Sequence, residues 1–211
     1  MIDMVYFECN GVTIAPYEDY GIILKSFDAP PPDAQVYYVA LDGADGSLDM
    51  TEWAGEVKYN DRNMTIALLD MNNRYGPMIQ TLHGRRWKIW KSDDPDFYYE
   101  GRCDSAPAET RRRVTNLTLN FTCSPWKLHK TETKIEKTIS SSANIELCAM
   151  RKTVIPTVTL TAACTLTWNG ESHALTAGTH TPAWLVVTDA GGTLGVSGSG
   201  TITLVWRDGV L

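Results

Sequence analysis

Polar and apolar residues alternate with a period of two through much of this sequence, and the pattern restricts the chain to a fold built mainly from β-strands. Residues 115–123, 154–168 and 200–206 all alternate in this way, with many threonines and β-branched side chains. Because successive side chains of a strand point to opposite faces, each segment is predicted to bury one face and expose the other. The predicted buried face of the first segment is Leu117, Leu119, Phe121 and Cys123.

Turn signals separate the predicted strands. Asn169-Gly170 provides two residues that accept the positive φ angles of a tight hairpin turn. We therefore predict a hairpin that joins residues 165–168 to residues 172–175. Another strand is predicted at residues 87–90, which read Trp-Lys-Ile-Trp and bury either the two tryptophans or Ile89.

One segment has the apolar spacing of a helix. Met78, Ile79 and Leu82 recur at intervals of one, three and four residues within the segment 75–85. A proline at the start of this segment suits a first helical turn, and a glycine near its end suits the residue after the last turn. The sequence therefore predicts a single helix in a chain of strands.

The distribution of charge divides the chain into two parts. Only four of the 19 basic and 25 acidic residues lie after residue 152. A lysine-rich segment at residues 127–137 precedes this change and is soon followed by three serines. We therefore predict two domains, residues 1–137 and residues 138–211. The last strand, at about residues 200–207, belongs either to the second domain or to the first.

Composition argues against several classes of function. A net charge of -6 disfavours broad, sequence-independent binding to nucleic acid, which requires an excess of bases. No segment approaches the roughly 20 apolar residues that span a bilayer, and the first four residues lack the pattern of a signal peptide. The five cysteines form no C-x-x-C pair, and the four histidines have no metal-binding spacing. We expect reduced cysteines, no metal site, no cofactor and no membrane segment.

Two acidic segments match functional motifs only in part. Residues 41–52 resemble the second half of a calcium-binding EF-hand loop, but two ligand positions of the first half lack carboxylates, so a solvated, turn-rich loop is favoured. The acidic segment Asp93-Asp94-Pro95-Asp96 is compatible with catalysis by a pair of carboxylates, as in a glycosidase. Adjacent aspartates before a proline, however, more often initiate a turn. Since no partner acid, histidine motif or metal ligand set accompanies them, we predict no catalytic residues and no enzymatic activity.

A basic cluster and the tryptophans of the second domain are candidate contact residues. Arg111, Arg112 and Arg113 form a strong basic cluster, which in an acidic protein favours contact with an acidic neighbour across an interface. The three tryptophans of the charge-poor domain belong either to the core of a β-sandwich or to a surface that stacks on sugar rings. Trp184 is the residue we predict for contact with carbohydrate.

Several groups of residues, taken in order, indicate one known family. They are residues 19–22 (Asp-Tyr-Gly-Ile), 41–48 (Leu-Asp-Gly-Ala-Asp-Gly-Ser-Leu), 82–84 (Leu-His-Gly), 87–89 (Trp-Lys-Ile), 93–102 (Asp-Asp-Pro-Asp-Phe-Tyr-Tyr-Glu-Gly-Arg), 119–126 (Leu-Asn-Phe-Thr-Cys-Ser-Pro-Trp) and 205–211 (Val-Trp-Arg-Asp-Gly-Val-Leu). In their order and spacing they resemble the distal tail protein (Dit) family of phages with long, non-contractile tails. The segments 82–84, 87–89 and 93–102, taken together in this order, are the most specific match.

The resemblance implies a fold and a structural role. The expected fold is mainly β, with an N-terminal split β-barrel that carries one α-helix, followed by a small C-terminal galectin-like β-sandwich. The expected role is that of a structural virion protein of a siphovirus phage or prophage. Such a protein is made in the cytoplasm of the bacterial host and forms a hexameric hub at the baseplate, or tail tip.

The resemblance also implies partners. They are further copies of the chain, the tail tube protein, the tail-tip hub protein, and receptor-binding or peripheral baseplate proteins. From charge and shape alone, we expect Asp42 and Asp45 of one copy to face Arg111, Arg112 and Arg113 of the next across the ring interface. The alternative function is a carbohydrate-binding module of the tail that serves host attachment.

Overall fold

The computed structural model describes residues 3–43, 45–53 and 55–211, and most of its regular structure is β-strand. Leu128–Val210 form one compact unit, and the remainder of the chain forms the other. The mainly β fold class is confirmed. Met1 and Ile2, in the segment considered for a signal peptide, and Ala44, in the predicted turn-rich loop, lie outside the described residues. Within them, no helix is long and apolar enough to cross a membrane.

In the described part of the first unit, the elements are two helices and ten strands. In chain order they are β1 (Val5–Cys9), β2 (Val12–Ile14), α1 (Pro16–Tyr20), β3 (Ile23–Asp28), β4 (Tyr38–Ala40), β5 (Ser47–Asp49), β6 (Arg62–Asp70), α2 (Tyr75–Leu82), β7 (Arg86–Lys91), β8 (Phe97–Ser105), β9 (Ala108–Arg111) and β10 (Val114–His129). The last two residues of β10 already belong to the second unit.

The second unit is built from strands alone within the described residues. They are β11 (Thr133–Ile139), β12 (Ser142–Leu147), β13 (Thr157–Leu160), β14 (Cys164–Trp168), β15 (Glu171–Leu175), β16 (Gly178–His180), β17 (Gly192–Gly198), β18 (Gly200–Trp206) and β19 (Gly209–Val210). The strand at residues 200–206 pairs with β11 and β13, both in this unit.

The units divide between Lys127 and Leu128, about ten residues before the predicted boundary. The lysine-rich segment at residues 127–137 contributes to two strands, the end of β10 and most of β11. In β11 the side chains are mostly exposed or half-buried until Ile139 enters the core. Charged residues accumulate there because this strand has one solvated face.

A large sheet organises the first unit. Its main strand order is β2-β1-β7-β8-β10-β6-β3, and β10 pairs antiparallel with β6 along residues 115–123. Leu117, Leu119, Phe121 and Cys123 are buried, as the alternation predicts. The predicted helix is confirmed as α2, which adds Met78 and Leu82 to the same core. On β7 the alternation buries Trp87 together with Ile89, and it leaves Trp90 half-buried.

Two four-stranded sheets form the second unit. Their strand orders are β11-β18-β13-β16 and β12-β17-β14-β15, and side chains from both sheets share one apolar core. Trp168 and Trp206 lie in this core with 5% of their surface exposed. The predicted hairpin is confirmed as β14–β15, with Asn169 and Gly170 at φ angles of 51° and 86°. The unit is therefore a β-sandwich.

Burial predicts unequal reactivity among the cysteine thiols. Burial raises the pKa of Cys103 to about 11 and that of Cys123 to about 12, whereas Cys148 is exposed. Because the thiolate is the nucleophile, a disulfide reagent at mildly alkaline pH should label Cys148 rapidly, and it should label Cys103 and Cys123 only after unfolding. Mass spectrometry of the labelled peptides measures this order, and Cys148→Ser should remove the fast phase. Rapid labelling of Cys123 in the folded protein would contradict the burial described here.

Candidate interaction surfaces

Residues 33–60 leave the large sheet and pair mainly with themselves, and we call this segment the arm. Its strands β4 and β5 form a separate two-stranded sheet. The base of the arm is closed by a bridge between Ala34 and Tyr59 and by a hydrogen bond of 2.8 Å from the Gln35 amide to the Lys58 carbonyl. None of its described residues is buried. A two-stranded ribbon of this kind is marginally stable in water without further packing.

Large apolar side chains of the arm are exposed. They are Val36 (60% exposed), Tyr37 (58%), Tyr38 (57%), Leu41 (49%), Leu48 (48%) and Trp53 (74%). Among the described residues, these six are half of the large hydrophobic side chains that are exposed. Concentration of apolar side chains in one segment, rather than single residues scattered over the surface, marks an interaction site.

The arm also carries most of the net charge of the chain. It contains six acids and one base, a net charge of -5, compared with -6 for the whole chain. The acids include Asp42 and Asp45, which the sequence assigns to a ring interface. A hydrogen bond from Thr51 lowers the pKa of Asp49, so this carboxylate is ionised at neutral pH. The arm is therefore both apolar and acidic.

Two basic surfaces of the first unit could receive an acidic partner. The first is the predicted cluster of Arg111, Arg112 and Arg113, which lies at the turn between β9 and β10. All three side chains are exposed, and Arg112 adopts a φ of 60° at the turn. We call this surface the arginine turn. It is a protruding tip, and the described structure contains no ion pair between it and Asp42 or Asp45 of the same chain.

The second basic surface is an open cleft of about 640 Å³, which we call the basic cleft. Its charged lining residues are Glu8, Arg85, Arg86, Lys88, Glu100 and Arg102, which come from β1, from β7 and the residue before it, and from β8. Bases exceed acids here by four to two. Buried Trp87 contributes to the lining between them.

Two of the four bases in the cleft are neutralised by ion pairs. The Arg86 Nε lies 2.8 Å from Glu100, and the Lys88 Nζ lies 2.9 Å from Glu8. The hydrogen bond from Lys88 lowers the pKa of Glu8. Arg102 donates to the Gly84 carbonyl, and neither Arg102 nor Arg85 has an ion-pair partner in the part of the chain that the structure describes. The cleft therefore keeps a net positive charge.

A smaller cavity of about 240 Å³ contains the predicted carboxylate pair. The Lys91 Nζ lies 2.7 Å from Asp93, and Lys127 forms an ion pair with Asp94. Hydrogen bonding from Lys91 lowers the pKa of Asp93, whereas a general acid needs a raised pKa. Sequence spacing could not show the contact between Lys127 and Asp94, because 33 positions separate them. These carboxylates act as ion-pair partners.

The wall of the same cavity is supported by a buried arginine. Arg62 is 3% exposed and donates hydrogen bonds to the carbonyls of Ala29, at 3.1 Å, and Pro125, at 2.9 Å. Its guanidinium also lies over the ring of Tyr99, 5.0 Å from the centroid. Burial lowers the pKa of Arg62. Because both hydrogen bonds go to neighbouring backbone, we interpret Arg62 as a structural cation.

The predicted carbohydrate contact, Trp184, is half-buried. Its ring stacks on His173 with centroids 4.1 Å apart and an interplanar angle of 13°, and it packs against the sandwich core. One face of the indole is therefore occupied by a residue of β15, a contact that the sequence does not reveal. No group of three or more His, Cys, Asp or Glu residues within the described ranges could hold a metal ion.

Comparisons with known proteins agree with this architecture. No protein-family model and no curated protein sequence matches the chain. A solved structure does match, that of SPP1 Dit, described as a paradigm of the hub adsorption apparatus in phages that infect Gram-positive bacteria. The two folds align with a TM-score of 0.70 over 98% of this chain and 99% of that chain.

The chain has the fold of SPP1 Dit. The resemblance found in the sequence is thus confirmed at the level of fold, and it extends over both units. The sequence identity is 14%, so the likeness is one of fold. The similarity to Dit therefore identifies the fold. The arm, the arginine turn and the basic cleft are the candidate interaction surfaces on that fold.

Proposed function

We propose that this protein is a structural component of a phage tail, a distal tail protein that forms a hub between the tail tube and the tail tip. The observation that carries the proposal is the match of almost the whole chain to a hub protein of the phage adsorption apparatus. The proposed partners are further copies in a hexameric ring, the tail tube protein, the tail-tip hub protein and receptor-binding or peripheral baseplate proteins. The proposed location is the virion tail, after synthesis in the host cytoplasm.

Self-assembly is supported by the arm. The arm exposes six large apolar side chains to water, which is unfavourable in a protein that remains a monomer. A subunit that assembles with other copies can bury these side chains at the interface. Asp42 and Asp45 place negative charge on this ribbon, and both the arginine turn and the basic cleft offer positive charge on a neighbouring copy. Contacts between two different surfaces, repeated around an axis, close into a ring when the rotation fits.

A non-enzymatic role is part of the proposal. The carboxylates nearest to a catalytic arrangement, Asp93 and Asp94, are engaged by lysines. In phage that lack the gene, complementation with Asp93→Asn/Asp94→Asn should restore the plaque titre fully, because ion pairs with partly exposed carboxylates contribute only about 0–1 kcal/mol to stability. A loss of titre with normal tails on micrographs would instead indicate chemistry at these carboxylates.

Location in the virion tests the proposal directly. Particles from a strain that carries the gene should bind gold-labelled antibody to this protein at the end of the tail. Particles from a strain that lacks it should have no completed tail tip. Antibody labelling confined to capsids or to the host cell fraction would contradict a tail function.

The arm provides a test of self-assembly. Replacing Tyr38 and Trp53 by serine should abolish association in light scattering, yet it should change the free energy of unfolding by only about 0.5 kcal/mol, because both side chains are exposed. Val12→Ser is a matched control, since Val12 is also 58% exposed but lies on β2. Equal association of the control and the arm variant would exclude the arm from the interface.

A further inference from the structure

We propose that the arm of one copy inserts into the basic cleft of a second copy, with the cleft rather than the arginine turn as its receptor. The inference rests on the proposed self-assembly and assigns the two surfaces that meet. The occupant of the basic cleft is thus the arm of a second copy of this chain. The contact is head-to-tail because the arm and the cleft are different surfaces.

Charge complementarity is the first argument. The arm has a net charge of -5, and the cleft has an excess of two bases over acids. Arg85 and Arg102 are the bases that no carboxylate within the described part of the chain neutralises. Guanidinium groups bind carboxylates in bidentate fashion, so Asp42 and Asp45 of a neighbouring arm suit both positions.

The apolar residues of the arm supply the second argument. Arginine planes stack on aromatic rings, and such contacts strengthen when water is excluded. The arm exposes Tyr37, Tyr38 and Trp53 beside its acids, which is the combination that an arginine-lined cleft binds best. An acidic loop without aromatic residues would gain charge attraction alone.

The basic cleft and the arginine turn differ in shape, and this difference favours the cleft as the receptor for the arm. The basic cleft is concave, with a volume of about 640 Å³, and its rim is formed by three neighbouring strands. The arginine turn is the tip of the β9–β10 hairpin, and its three arginine side chains are exposed. A ribbon that meets a second protruding tip buries little area, whereas a ribbon in a cleft can bury its aromatic rings.

A charge exchange between two variants tests the inference. Variant H carries Asp42→Lys/Asp45→Lys in the arm, and variant C carries Arg85→Glu/Arg102→Glu in the cleft. Each alone should associate more weakly than the parent by about tenfold or more at low salt, because like charges then face each other. An equimolar mixture of H and C should recover association, since every arm then finds a cleft of opposite charge. Sedimentation velocity on the full-length chains provides the measurement.

The arginine turn provides the control. Arg111→Glu/Arg113→Glu, variant T, should associate like the parent, because its arm and its basic cleft are both unchanged. Loss of association in T together with parental association in C would overturn the inference in favour of the arginine turn, and parental association of C would by itself exclude the cleft as the receptor. Misfolding does not imitate the expected result, because a misfolded variant cannot be rescued by mixing.

Two other outcomes would also overturn the inference. If inorganic phosphate binds the parent but not variant C, while association is unchanged in C, then the cleft is an anion site and not a receptor for the arm. If the parent stays monomeric at every concentration, docking between free copies does not occur. In that case antibody labelling of tails still decides the proposed function independently.

Discussion

Gly101→Ala should lower the free energy of unfolding of the first unit by about 3 kcal/mol, because overpacking beside backbone atoms forces the sheet to move. A Cβ at this position would lie 2.3 Å from the Cys123 Sγ, 2.7 Å from the Thr122 carbonyl oxygen and 2.8 Å from the Cys123 Cα. Two of these three atoms are backbone, so β8 and β10 would have to separate. Denaturant unfolding, with hydrogen exchange of the β8 and β10 amides, measures the effect.

Gly76→Ala is the matched control for this substitution. Gly76 lies in α2, and a Cβ there meets no atom within 4 Å. Since alanine favours helix over glycine by about 1 kcal/mol, the control should leave stability unchanged or raise it slightly. Equal effects of the two substitutions would show that Gly101 is not a point of close approach between strands.

Asp70→Ala should destabilise the first unit by about 3 kcal/mol, since it removes three hydrogen bonds to a charged acceptor. The buried carboxylate of Asp70 accepts from the amides of Asn72, at 2.8 Å, Arg74, at 2.6 Å, and Tyr75, at 2.8 Å. These amides lead into the first turn of α2, where a negative charge is favourable. Thermal unfolding and the loss of exchange protection in α2 measure the change.

Asp49→Ala is the control for Asp70→Ala. Asp49 is exposed and accepts one amide hydrogen bond, from Thr51 at 2.9 Å. Its removal should leave the free energy of unfolding nearly unchanged, as is usual for surface substitutions. If Asp70→Ala were as mild as this control, solvent rather than the carboxylate would be satisfying the start of α2.

Local sequence patterns were sufficient to predict a strand or hairpin where the alternation of polar and apolar residues, or a turn dipeptide, determines the structure. The alternation at residues 115–123 and the turn at Asn169-Gly170 were sufficient for β10 and for the β14–β15 hairpin. The structure also decides which apolar residues of β7 are buried. Trp87 and Ile89 are two residues apart and share a face, whereas Trp90 is three residues from Trp87 and lies on the other.

The interaction surfaces were less predictable because they depend on strand register. In the basic cleft, the register of β7 with β8 places Arg86 opposite Arg102 and Lys88 opposite Glu100. The register of β7 with β1 places Lys88 opposite Glu8. No local motif encodes these pairings. The acids of the arm were visible in the sequence, but the exposure of its aromatic residues follows only from the separate two-stranded sheet that β4 and β5 form.

The acids of the arm have a consequence for the free copy, before any assembly. Exposed aromatic residues on an unpaired ribbon promote aggregation, and flanking charges suppress it. The six acids of the arm keep copies apart by mutual repulsion until a basic partner surface compensates them. The acidic side chains of the arm thus oppose association between two arms and favour association of an arm with a basic surface.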